Sequence, residues 1–202
     1  MSVVNSYRKY VLEHHQLPKQ VSDLSMEVTT VSSIKEVESQ IWKRYASDTF
    51  KQCVSDASFG EYIAREKMLA YVFTLIHNIQ DDDIQIKLQY PVFYKLWTSK
   101  MLRDFKQEFL SFVKLLIEEG QDRGEIEKRV YLNRFYPELF WNTLLSILSF
   151  WINDKSTHKE QTDVAVEKWV HLLFDTLAPN AIDSAIDLAQ FIFKQKVNEK
   201  SR

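Results

Sequence analysis

FYPELFWNTLLSILSFWINDKSTHKEQTDVAVEKWVHLLFDTLAPNAIDSAIDLAQFIF, running from Phe135 to Phe193, is the stretch whose reading decides the fold. It holds three strongly apolar segments of helical length. The first two are joined by the polar break Asn153-Asp154-Lys155-Ser156-Thr157. From Leu139 to Ile152 the apolar residues (Leu139, Phe140, Trp141, Leu144, Leu145, Ile147, Leu148, Phe150, Trp151) point in nearly every direction around a helix. A surface helix carries one apolar stripe, whereas a helix apolar on every side is buried on every side. In a short chain that burial calls for a second subunit. The stretch therefore predicts a helical homodimer.

Outward from it, the remaining chain reads as helices and no strand. A first helix fits Ser2–His15, with Val4, Tyr7 and Val11 on one face. Pro18 can open a short second helix carrying Val21, Leu24 and Val28. Ser33-Ile34-Lys35-Glu36 has the form of a capping box, and Ile34, Val37, Ile41, Trp42, Tyr45 and Phe50 carry its helix to about Val54. A long helix is expected from Glu61 to Ile79. Asp81-Asp82-Asp83 reads as a helix N-terminus, where carboxylates favour the dipole, rather than a metal site. Pro91 is expected to interrupt the following pattern, so that Ile84–Tyr90 and Val92–Glu119 are separate or kinked helices. Helices over Glu138–Ile152, Gln161–Leu177 and from Pro179 to about Lys196 complete nine or ten.

Composition narrows the classes. The 202 residues are 45% hydrophobic and 27% charged, as in an ordinary folded chain. Three glycines and four prolines disfavour a turn-rich β fold. A net charge of -2 makes no general case for nucleic acid or membrane binding. The single Cys53 excludes an internal disulfide and fits a reducing compartment. No stretch reads as a membrane span or signal peptide, so the expected location is the cytoplasm. No HExxH, CxxC, GxSxG or Gly-rich phosphate loop occurs, so neither an enzyme nor a cofactor is expected.

Several blocks carry a resemblance. They are Phe140-Trp141, Phe150-Trp151-Ile152-Asn153-Asp154, Thr162-Asp163 with Glu167-Lys168, Phe174-Asp175, and Asp183-Ser184 with Asp187-Leu188. Ile41-Trp42 with Asp48-Thr49, Ala64-Arg65-Glu66-Lys67-Met68-Leu69-Ala70 and the Gly120–Ile126 turn join them. In order and spacing they resemble the TetR family of bacterial transcriptional regulators, nearest a Bacteroidetes-type subgroup. The resemblance implies an all-α homodimer, with a DNA-binding head at 1–45 and a ligand-binding and dimerisation domain at 46–202. It places the dimer interface on Leu144, Leu148, Trp151, Trp169 and Leu173. It places a pocket for a small apolar ligand among the central helices, with Phe73, His77, Phe93, Trp97 and Phe112 as lining candidates. Core packing alone is the plainer account of these aromatics, and His77 also reads as a half-buried structural histidine. Operator DNA would meet the head at Lys19, Ser22 and Lys35.

The head departs from the family pattern. A helix-turn-helix needs two helices and a short turn, on the order of 20 residues. Between Leu17 and the capping box at Ser33 there is room for one such helix. Residues 1–50 contain six Lys or Arg and six Asp or Glu, a neutral balance where phosphate contacts favour cations. Two further readings follow: a ligand- or lipid-binding protein of the same fold without sequence-specific DNA binding, and a dimeric protein-interaction module with an altered head.

Overall fold

The computed structural model describes residues 3–24, 31–95 and 100–179; for 91–95 and 100 it describes the backbone alone. Seven α-helices are described: α1 (Val3–His14), α2 (Ile34–Ser55), α3 (Ala64–Ile79), α4 (Asp83–Lys95), α5 (Arg103–Asp122), α6 (Tyr136–Asn153) and α7 (Glu160–Leu177). Short 3-10 turns sit between them, and no strand occurs among the described residues. The expected all-α class holds. The expected count of nine or ten helices is not met among the described residues. The last expected helix lies outside them.

Local chemistry sets the helix ends. Ser33 caps α2 by accepting the Glu36 backbone N–H at 3.3 Å. The Glu36 carboxylate reaches back one residue further than a capping box requires, to the Ser32 N–H at 2.8 Å and its hydroxyl at 2.9 Å. The free N–H groups of α3 are met from far along the chain, by Glu125 on Ala64 (3.0 Å) and Arg65 (3.4 Å). Pro137 lies in the first turn of α6, where its missing N–H costs nothing. At Pro91 the separate-helix alternative fails. α4 runs through it from Asp83 to Lys95, forgoing one backbone bond, and the second helix begins only at Arg103.

α2 is the central element. It packs on α3 and α5, and α1 lies across it and α4. One contiguous core runs from Val4, Tyr7 and Val11 through Trp42, Phe105 and Phe109 to Phe140, Phe174 and Leu177. The boundary expected at 45/46 falls inside α2, which is continuous from Ile34 to Ser55. Gly120 is needed for close approach: a Cβ there would meet Ile126 Cδ1 at 2.8 Å and the Ala64 Cβ at 3.2 Å. Its carbonyl accepts both the Glu125 and Ile126 N–H groups, so this contact also seats the acid that caps α3.

Candidate subunit interface and ligand region

α6 and α7 form a hairpin whose connection is tightly determined. Asp154 ends α6, and its carboxylate accepts the Ser156 N–H (2.8 Å), Ser156 hydroxyl (2.6 Å), Thr162 N–H (2.9 Å) and Thr162 hydroxyl (2.7 Å). These bonds, the Ser156 hydroxyl foremost, hold its pKa down at about 2. One side chain therefore caps α7 from across the turn. His158 and Lys159 follow each other in the left-handed region, with φ of 52° and 57°. That geometry folds Lys159 back: its ammonium donates to the Trp151 carbonyl at 2.6 Å and sits 4.3 Å from the Trp151 ring centroid.

The two helices are amphipathic in an unusual sense. Their inner faces fill the protomer's core, and their outer faces carry an apolar stripe among polar residues. Leu144, Leu148, Trp151 and Leu173, expected at the interface, are all buried inside the protomer. A side chain already excluded from water gains no further burial from a second copy. Trp169, the fifth, is 39% exposed. Beside it on α7 lie Val164 (51%) and Leu172 (58%), and on α6 Leu139 and Phe150 are open. Phe150, Val164, Ala165, Trp169 and Leu172, with the stems of Gln161 and Lys168, line a groove of about 730 Å³. The outer stripe, not the inner one, is the face a second copy can cover.

In the central helices, rings occupy the middle. Tyr71 stacks on Phe112 with centroids 4.6 Å apart and lies 5.5 Å from Phe109. Phe109 meets Trp141 at 6.1 Å, Phe105 meets Trp141 at 5.7 Å, and Trp42 meets Phe105 at 5.3 Å. Among these buried groups the Tyr71 hydroxyl and the Trp141 indole N–H lack any hydrogen-bond partner. Burial raises the Tyr71 phenol's pKa, so it stays protonated and a donor. Of the expected pocket residues, Phe112 belongs to this ring stack and Phe73 is half-buried against the core. His77 is exposed, 3.1 Å from the Gln80 amide, and does not face the rings. The Phe93 side chain and Trp97 lie outside the described residues.

The head is joined to the body by buried polar groups. Tyr7 of α1 donates to Glu38 of α2 at 2.8 Å. Gln89 of α4 donates to Tyr7 (3.2 Å) and Glu38 (3.3 Å), and accepts the Trp42 indole N–H at 3.0 Å. Burial raises the Glu38 pKa against the lowering pull of these donors. Lys19, Ser22 and Lys35 are exposed. Lys19 and Ser22 lie by a single 3-10 turn, Val21–Leu24. The Asp23 carboxylate occupies that turn's free donors, accepting the Lys19 N–H at 2.9 Å and the Gln20 N–H at 3.1 Å. Those backbone bonds, Gln20 first, lower the Asp23 pKa, so a negative charge stands where a phosphate would approach. Only positions 25–32 separate Leu24 from Ser33.

Residues 67–192, more than half of the chain, match the family described as tetracyclin repressor-like, C-terminal domain. The chain belongs to the TetR family. No curated protein and no solved structure matches it. In this TetR-family chain the match opens at Lys67, in the first turn of α3, and takes in α3 to α7. The ring cluster's Tyr71, Phe109 and Trp141, the hairpin and its outer groove all fall within it. α1, the 3-10 turn and α2 lie outside it, so the head expected from the resemblance is the part the family match does not reach. Among the described residues no helix is long and apolar enough to cross a membrane. The open apolar residues Val164 and Leu172, absent from the expected set, are spaced by two helical turns on α7, a signal present in the pattern.

Proposed function

We propose that this protein is a TetR-type transcriptional regulator that works as a homodimer and senses a small apolar ligand. The observation that carries the dimer is the apolar outer stripe of α6 and α7, on helices that fall within the family's C-terminal domain. Two copies pairing these faces about a two-fold axis would form a four-helix contact, with Phe150, Trp169 and Leu172 as anchors. Phe135 and Leu139 extend the same stripe along α6. The ring cluster of α3, α5 and α6 supports the ligand reading, because an apolar molecule bearing a hydrogen-bond acceptor would satisfy the Tyr71 hydroxyl or the Trp141 N–H. Phe73 and Phe112 would border that molecule.

DNA binding would proceed through a shortened helix-turn-helix, with Lys19, Ser22 and Lys35 as the contacts nearest a phosphate. Its affinity would lean on few cations, so its salt dependence should be shallow. Titrating the purified protein against the DNA upstream of its own gene at several salt concentrations tests this. Saturable binding that weakens with salt is expected. Equal affinity for that DNA and for unrelated duplexes at every salt concentration would overturn it.

A further inference from the structure

The start of α4 carries two adjacent carboxylates that face different parts of the molecule. Asp82 turns to the head, where the Arg8 guanidinium of α1 lies 2.6 Å from it and the Tyr45 hydroxyl of α2 donates to it. The Asp82 side chain is only 11% exposed, so the bond to Arg8 is sheltered from water and salt. Asp83 turns the other way. One of its oxygens takes the exposed Lys87 at 2.6 Å. The other is buried and has no hydrogen bond. Lys159, in the α6–α7 connection, forms an ion pair with that oxygen at 3.6 Å, too long for a hydrogen bond. The same ammonium donates one of its protons to the Trp151 carbonyl.

We propose that this Asp82–Asp83 step is a mechanical joint that couples the α6–α7 hairpin to the docking of α1. A buried carboxylate oxygen held by an ion pair too long for a hydrogen bond gains from any approach of its cation. A small shift of the hairpin toward α4 shortens the Lys159–Asp83 pair into a hydrogen bond, and a shift away breaks it. Asp82 is the next residue on the same backbone, so displacement of Asp83 is carried to the Arg8 contact. Lys159 is suited to this role because its left-handed backbone holds the ammonium against Trp151 rather than letting it wander in solvent. The joint therefore links the surface where two copies meet to the segment at the opposite end of the chain. It goes beyond the regulator reading and does not depend on whether the N-terminal segment meets DNA.

Hydrogen exchange of the intact protein, read peptide by peptide, tests it. Asp82→Asn should raise exchange across Val3–His14 by about 5-fold or more, the lower end of a typical coupling. Lys159→Met should also raise exchange in α1, although it touches nothing there, while Lys159→Arg should not. Lys87→Met, which removes only the surface partner of Asp83, should leave α1 unchanged. Coupling is reciprocal, so Arg8→Met should loosen residues 154–162. In an Asp82→Asn background, Lys159→Met should add nothing in α1. If Lys159→Met alters only the hairpin, or adds in full to Asp82→Asn, the joint does not exist. Exchange in α5 reports global stability and separates these outcomes from simple unfolding.

Discussion

The α6–α7 hairpin and the N-terminal segment are both held to one core, yet by different means. The hairpin offers large apolar side chains inward and an apolar stripe outward, and Asp154 and Lys159 fix its turn. The N-terminal segment adds to its apolar contacts, Val4 and Val11, buried directed ones through Tyr7, Arg8 and their hydrogen-bonded partners. Apolar contacts are undirected and tolerate a new partner; buried polar contacts demand particular geometry and break as a unit. On the proposed reading one region associates and the other is held in a defined pose. The family match covers the hairpin, with α1 and α2 outside it.

The largest expected effect breaks the hairpin's inner face. Trp151→Ala removes a buried side chain on which Lys159 rests, and should destabilise the protein by about 3–5 kcal/mol in urea unfolding. A loss below about 1 kcal/mol would mean the inner face is not core. Gly120→Ala is next. Its methyl would press on Ile126 and Ala64, costing about 1–3 kcal/mol, with the Glu125 cap on α3 disturbed as well. Ser33→Ala should cost about 1 kcal/mol by removing the α2 cap, measured by the same unfolding curve.

The smallest effect sharpens the contrast through pH. Glu38 in the folded protein has a pKa above the ordinary carboxylate range, so the native state binds more protons than the unfolded chain in the window between the two values. Its contribution makes stability fall as pH rises through that window and stay level below it. Glu38→Gln keeps an acceptor for Tyr7 and Gln89 and should flatten this part of the stability profile. An unchanged slope from acidic to neutral pH would mean that another group titrates there.

Helix placement was largely legible. The expected spans Glu138–Ile152 and Gln161–Leu177 differ from α6 and α7 by one or two residues at their ends, because Pro137 and the Asn153–Thr157 break mark them chemically. Which face of α6 turns inward was not legible. Leu144 and Phe150 are equally apolar, and a helix apolar all round has a period but no direction. Only its neighbours decide: Phe140 meets Phe174 of α7 and Trp141 meets α5, which leaves Leu139 and Phe150 outside. Pro91 misled for a related reason, since packing around α4 overrides one missing backbone bond. The polar junctions of the head join residues 31 to 82 positions apart, a separation that no local pattern reveals.

The central claim is that the outer faces of α6 and α7 hold two copies together. Sedimentation equilibrium of the wild-type protein and of the double variant Phe150→Asp with Leu172→Asp tests it most directly. The account predicts twice the protomer mass for the wild type and a folded monomer for the variant, with unchanged helical circular dichroism. A variant that remains a dimer, or a wild type that sediments as a monomer at tens of micromolar, the order at which a stable dimer is fully formed, would contradict it.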